Sequence, residues 1–138
     1  MANLTAEVSV VVPGEGLRTL DDLELDPALL DAMNQDARDD PNGAVMISKG
    51  PVFMLLEDSF WGIAGFMSRG LGHALETGAD ITYQFRSGPE KLVVQIKGEG
   101  VTLDYDGRKT MTTTVSDLKR VAANLSNDVD AIEALLES

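Results

Sequence analysis

Apolar and polar residues alternate regularly along three short segments in the second half of the chain, and a Thr-rich fourth segment follows them. The four segments cover residues 81–86, 91–97, 101–106 and 109–115. The residues between them are rich in Gly, Pro and Asp, which favour tight turns. A period of two places successive side chains on opposite faces of a strand. The pattern therefore predicts a four-stranded antiparallel meander with one buried and one exposed face.

Two longer segments place apolar residues every three or four positions, as helices do. The first, residues 60–76, contains four interior glycines, which together cost a helix roughly 3–4 kcal/mol relative to alanine. We expect this segment to pack closely against a sheet or another helix, or to break near Gly70. The second follows Ser116, a predicted N-cap. Its apolar stripe from Leu118 to Leu136 is expected to cover the buried face of the meander.

The first third of the chain mixes strand and helix signals. Residues 4–12 are β-branched and partly alternating, which predicts a strand. Asp26-Pro27 combines an N-cap acid with a proline suited to the first helical position, so a helix is predicted from there to an Asp-Pro-Asn-Gly turn. Two apolar runs, 44–48 and 52–56, form either a hairpin or one bent strand. No linker or repeat interrupts the chain, and we predict a single α+β domain over residues 1–138, an antiparallel β-meander packed against helices.

The composition excludes several kinds of site. The 138 residues include 23 carboxylates, 11 Lys and Arg, one His and no Cys, with a formal net charge of −12. Without Cys there is no disulfide, zinc–thiolate or iron–sulfur site, and a single His cannot supply a multi-histidine metal site. The negative charge argues against nucleic acid as a direct partner, because it repels the phosphate backbone.

No segment of the sequence is typical of a membrane span or a signal peptide. The longest uncharged apolar stretch, Phe60–Met67, is far shorter than the ~20 residues that a spanning helix needs. The first ten residues lack a positive n-region and a long apolar h-region. We therefore expect a cytoplasmic protein without a membrane span.

The negative charge is concentrated near the start of the chain. Residues 1–57 contain 11 acids and 3 bases, and nine of those acids lie between Glu15 and Asp40. This stretch is either a solvated face that keeps the protein soluble or a docking surface for a cationic partner. The residues predicted to bind a protein partner are Asp21, Asp22, Glu24, Asp31, Asp36, Asp39 and Asp40.

Bulky side chains crowd the start of the glycine-bearing segment. They are Phe60, Trp61, Phe66 and Met67. Core packing explains such a group most simply. The alternatives are an apolar ligand pocket between helix and sheet, or an aromatic anchor at a protein interface.

Signals for chemistry are weak throughout the sequence. His73 has Glu76 three positions later, which can suit a general base, but no nucleophile or oxyanion-hole motif accompanies them. Residues 104–107 contain a fragment of a calcium loop that lacks its other ligands, so Asp106-Gly107 is interpreted as a two-residue hairpin turn. We therefore predict no catalytic residues, no metal site, no cofactor and no enzymatic activity.

One family resemblance covers most of the chain. The order VFMLLEDSFWGIAGFMSRGLGHAL, ITYQF, KLVVQIK, VTLDYDG and VSDLKRVAANL resembles the small acidic immunity proteins of bacterial polymorphic toxin systems. The resemblance implies a non-enzymatic α+β protein that binds and neutralises a cognate toxin in the bacterial cytoplasm. A basic toxin domain would suit the acidic surface.

A second resemblance covers residues 59–137. The runs YQF, KLVVQIKGEGV, TMTTTVSDLKRV and NLSNDVDAIEALL resemble the sterol-carrier-like lipid-transfer fold, which implies binding of a lipid or another small apolar ligand. An acidic secretion chaperone is a further alternative with similar size and charge. The sequence leaves the oligomeric state open.

Overall fold

Two four-stranded antiparallel sheets account for the strands of the computed structural model, which describes residues 3–138. The first sheet has the order β2-β1-β3-β4 and consists of β1 (Leu4–Val12), β2 (Gly16–Thr19), β3 (Asn42–Lys49) and β4 (Val52–Ser59). The second has the order β5-β6-β7-β8 and consists of β5 (Ile81–Gln84), β6 (Lys91–Lys97), β7 (Gly100–Tyr105) and β8 (Lys109–Thr114). The α+β class and the predicted meander are confirmed.

The second sheet buries the face that the alternation predicts. Leu92, Val94 and Leu103 are fully buried, whereas Lys91 and Gln95 are exposed. In the first sheet, the runs 44–48 and 52–56 belong to a hairpin, and Gly50 adopts a positive φ of 61° in its turn. Such a backbone angle favours glycine. The short strand β2 was not predicted.

The segment after Asp26 forms two short helices where one was predicted. The helices of this region are α1 (Leu20–Leu25), α2 (Ala28–Asp31) and α3 (Gln35–Asp39). Asn34 begins α3, because its side chain accepts a hydrogen bond of 2.8 Å from the Ala37 N–H. Asn is a strong N-cap, and the apolar periodicity through Met33 and Ala37 conceals this restart.

The glycine-bearing segment is helical without a break. It consists of α4 (Phe60–Gly65), a π-helical turn (Phe66–Gly70) and α5 (Leu71–Thr77). The Ser68 hydroxyl donates a 2.6 Å hydrogen bond to the Ala64 carbonyl inside the turn. Instead of breaking near Gly70, the helix widens there.

The expected close packing explains one of the four glycines. A Cβ at Gly62 would overlap the Tyr83 hydroxyl, whereas Gly65 and Gly72 face open space. Gly62 therefore lets α4 approach the second sheet.

The last helix, α6 (Val115–Glu137), lies mainly against β1 and the π-helical turn. Its N-cap is Thr114, whose hydroxyl accepts a 3.1 Å hydrogen bond from Asp117 N–H, and not Ser116 as predicted. The predicted packing on the meander is found in part, because α6 contacts β8, where the chain enters the helix, but it lies mainly against the first sheet and the π-helical turn. A single hydrophobic core joins α6, α4 and both sheets.

Candidate interaction surfaces and a buried carboxylate

Helices α1–α3 carry the acidic stretch on the surface. Asp22 is half-buried and has a structural role. Its carboxylate accepts a 3.0 Å hydrogen bond from the Thr19 N–H, and the Thr19 hydroxyl accepts one of 3.3 Å from the Asp22 N–H. This reciprocal arrangement is a capping box. The other predicted partner-binding acids are exposed: Asp21, Glu24, Asp31, Asp36, Asp39 and Asp40.

Few of these acids are neutralised locally. Among residues 3–138, the ion pair within the stretch joins Glu15 to Arg18 at 3.3 Å, and both side chains are exposed. Arg38 is directed to backbone carbonyls instead, and its guanidinium donates to Leu30 O (2.7 Å), Met33 O (3.2 Å) and Ser138 O (3.0 Å). Arg38 therefore ties α2 and α3 to the end of α6, and most of the carboxylates face solvent without a contacting cation.

An exposed leucine lies within the acidic surface. Leu25, at the end of α1, is 85% exposed, which makes it the most exposed large apolar side chain among the described residues. A shallow pocket of about 240 Å³ lies beside it. Its lining residues are Glu15, Arg18, Asp22, Leu25, Asp26 and Leu29.

Sequence reasoning missed Leu25, although a signal was present. Leu20 and Leu23 are three positions apart and face inward, whereas Leu25 lies two positions beyond the buried Leu23. On a helix, that offset points away from the buried face. Residues 17–25 show no clear pattern in the sequence, because the four-residue strand and six-residue helix there are each too short to show a period.

The predicted aromatic group is divided between core and surface. Phe60 and Met67 are fully buried, while Trp61 and Phe66 are half-buried. Phe60 packs edge to face against Trp61 at a centroid distance of 4.9 Å. Phe66 stacks on Tyr83 at 5.0 Å, which connects the π-helical turn to the second sheet.

Trp61 connects the aromatic group to the acidic segment. Its indole N–H donates a 2.7 Å hydrogen bond to the Asp39 carbonyl, and nearby the Ser59 hydroxyl donates to the Asp40 carboxylate at 3.2 Å. A pocket of about 270 Å³ has Trp61, Arg38, Asp39 and the last residues of α6 in its wall. The two predicted groups therefore meet at one edge.

A buried carboxylate that the sequence did not reveal lies between β4 and the second sheet. Asp58 is 5% exposed and accepts three hydrogen bonds, from the Tyr83 hydroxyl (2.6 Å), Arg86 N–H (2.8 Å) and Ser87 N–H (3.0 Å). Burial raises the pKa of Asp58, but these donors outweigh burial and hold the pKa below its ordinary value of 3.8. Burial and the Asp58 carboxylate raise the pKa of Tyr83 above its ordinary value.

Asp58 has the geometry of a structural clip. Both carboxylate oxygens are occupied by donors from β5 and the loop after it, so neither is free to take a proton from a substrate. The clip fastens the meander to the first sheet.

The other residues considered for catalysis or metal binding lie apart from one another on the surface. His73 and Glu76 are exposed on α5. Asp104 accepts from Gly107 N–H at 2.9 Å, and Tyr105 pairs with Lys109, so the β7–β8 connection holds three residues, one more than predicted. Within the described residues, His, Asp and Glu side chains form no group of three suited to a metal ion.

No family model, curated protein or solved structure matches this chain. In the part of the chain from residue 3 onward, no helix has the length and apolar content needed to cross a membrane. Function must therefore be inferred from the residues themselves.

Proposed function

We propose that this protein is a non-enzymatic binding module that docks a basic protein partner on α1–α3, in the manner of an immunity protein that neutralises a toxin domain. The supporting observation is the exposed Leu25 within a surface of largely unpaired carboxylates. A few side chains that become fully desolvated at the centre supply most of the energy of a protein interface, while the contacts around them exclude water. Carboxylates around such an anchor speed encounter with a cationic partner and discriminate against acidic ones.

Binding to a carrier-type apolar ligand has less support. Phe60 and Met67 are packed inside the core, and the Trp61 indole is hydrogen-bonded to Asp39. These side chains would have to leave existing contacts to line a ligand cavity. We therefore do not extend the proposal to lipid transfer.

The proposal is tested by growth rescue and direct binding. The probe is the product of the gene that directly precedes this one in its genome, expressed in a bacterial host with and without this protein. We expect the preceding product to inhibit growth, this protein to restore it, and the two purified proteins to bind in a salt-sensitive manner. A harmless neighbour that does not bind would contradict the proposal.

Two charge-matched variants locate the docking surface. Glu24→Gln/Asp31→Asn removes two exposed carboxylates of α1 and α2, and Glu76→Gln/Glu99→Gln removes two exposed carboxylates elsewhere. We expect the first pair to weaken binding roughly tenfold at low salt and the second to change it less than about twofold. Leu25→Ser should weaken binding by a similar factor that persists at high salt. Equal effects of the two charge variants would show that α1–α3 is not the docking surface.

A further inference from the structure

The outer face of the first sheet carries an exposed apolar cluster. Met46, Leu55 and Phe53 are 39%, 37% and 51% exposed, and Met46 pairs directly with Leu55 across β3 and β4. The alternate residues, such as Val45 and Leu56, are fully buried, and α4 and α6 pack against this first sheet. The helices therefore cover one face and leave the other open.

This open face carries little charge, although the chain has a net charge of −12. Of the outward-facing residues on β1–β4, Glu7 and Glu57 are the ionisable ones among those described. Lys109, from β8, lies 4.0 Å from the centre of the Phe53 ring and donates a 2.7 Å hydrogen bond to Phe53 O. The apolar cluster thus has a cation at its Phe53 end and a carboxylate, Glu57, at its other end.

That arrangement is complementary to itself. Phe53 lies two residues before Leu55 on β4 and Glu57 lies two residues after it, which puts them roughly 13 Å apart along the strand. Consider a two-fold axis that lies between the first sheets of two copies and runs across the strands at the level of Met46 and Leu55. It places the Phe53 end of one copy opposite the Glu57 end of the other. Lys109 then faces Glu57 of the second copy, and this pairing occurs twice.

We propose that the outer face of the first sheet binds a second copy of this chain by packing sheet on sheet. The footprint of four strands about 4.8 Å apart and about seven residues long is roughly 450 Å² per copy. Two copies would together bury about 900–1,000 Å², near the lower limit for a specific interface. Glu7 faces its own equivalent across the same axis, which opposes association. The small footprint and this repulsion together indicate a weak, reversible dimer.

Sedimentation equilibrium of the full chain measures this association. We expect reversible dimers in the wild type, and at least about tenfold weaker association in Leu55→Asp, which places a carboxylate at the axis. The matched control is Leu25→Asp, because Leu25 is an exposed leucine outside this face. It should associate like the wild type, so failure of the docking surface on α1–α3 and failure of this dimer are distinguishable.

A charge exchange tests the symmetry directly. Glu57→Lys and Lys109→Glu should each weaken association several-fold, because each puts like charges opposite one another. The double variant should restore it, and Glu7→Gln should strengthen it. Thermal melts establish that each variant is folded.

Three outcomes would overturn the proposal. They are a wild type that stays monomeric up to about 1 mM, association that Leu55→Asp leaves unchanged, and a double variant no better than its parents. If the wild type is monomeric and Leu55→Asp loses a different protein partner, that partner is the occupant of the face.

Discussion

Removing the Asp58 carboxylate should destabilise the protein more than any other single change to a charged side chain described here. Asp58→Ala leaves three donors without their acceptor, namely the Tyr83 hydroxyl and the Arg86 and Ser87 N–H groups. These three bonds fasten β5 and the β5–β6 loop to β4. The expected consequence is a loosened junction between the two sheets.

The magnitude follows from the partners. A hydrogen bond to a charged group contributes roughly 1.5–3 kcal/mol, so three such bonds set an upper limit of about 9 kcal/mol. Arg86 and Ser87 are exposed residues, and water can replace the lost acceptor for their N–H groups. The substitution also removes the cost of burying the Asp58 carboxylate away from water, which offsets a further part of the lost stability. We therefore expect a loss of about 3 kcal/mol in the free energy of unfolding, or roughly 10 °C in Tm.

Equilibrium urea denaturation at neutral pH measures this loss, and Tyr83→Phe provides the matched control. That variant removes one of the three donors and should cost about 1–1.5 kcal/mol. The double variant should cost less than the sum, because the Tyr83–Asp58 bond is removed only once.

The pH dependence of the free energy of unfolding provides a second test of the same interaction. Because the folded pKa of Asp58 is lowered, its stabilisation is present above the unfolded value of 3.8 and is lost as the pH falls through the folded value. The difference in unfolding free energy between the wild type and Asp58→Asn should therefore shrink as the pH falls below about 4. A cost below about 1 kcal/mol for Asp58→Ala, or strict additivity with Tyr83→Phe, would refute the clip.

Four further substitutions have expected outcomes. Gly62→Ala should destabilise by about 2 kcal/mol in urea denaturation, because the added Cβ overlaps the Tyr83 hydroxyl, whereas Gly72→Ala meets open space and should stabilise by about 0.5–1 kcal/mol. Burial and a neighbouring carboxylate raise the pKa of Asp128 and so penalise its charged form. Asp128→Asn should therefore increase the free energy of unfolding at neutral pH by up to about 0.5 kcal/mol, seen as a higher Tm. This gain should vanish at low pH, where Asp128 itself is protonated. Arg38→Ala should cost about 1–2 kcal/mol and speed amide hydrogen exchange in the last turn of α6, because it removes three bonds to backbone carbonyls.

The elements that were predicted correctly are those whose own pattern determines them. In the meander, each strand alternates and each turn contains Gly, Pro or Asp, so local chemistry and the final structure agree. The packing of α6 was predicted only in part, for a different reason. An apolar stripe shows that a helix buries one side, but both sheets offer a buried face, and the stripe does not specify which one it covers.

The candidate sites were harder to predict, because they too depend on contacts between segments that lie far apart in the sequence. Acidic residues between Glu15 and Asp40 are visible in the sequence, and most do lie on the surface. Asp58 is one acid near the end of a strand, and its donors come from residues 83–87. The sequence alone does not distinguish a carboxylate at the exposed end of a strand from one that is hydrogen-bonded to another sheet. Gly62 was the nearest available signal, because a glycine inside a helix marks a close approach, although it does not name the residue that approaches.

The two proposed binding surfaces lie on different sides of the first sheet, and this position makes them compatible. Helices α1 and α3 pack against α6, and α6 packs against β1 of that sheet. The apolar cluster around Met46 and Leu55 lies on the opposite, open face. A sheet-on-sheet dimer would therefore leave both acidic surfaces accessible and directed away from the interface. Because only Glu7 and Glu57 of the described carboxylates on β1–β4 lie on the open face, the repulsion that two chains of net charge −12 experience at contact is limited. The uneven charge of the sequence thus has two consequences: one surface suited to a cationic partner, and one neutral enough for self-association.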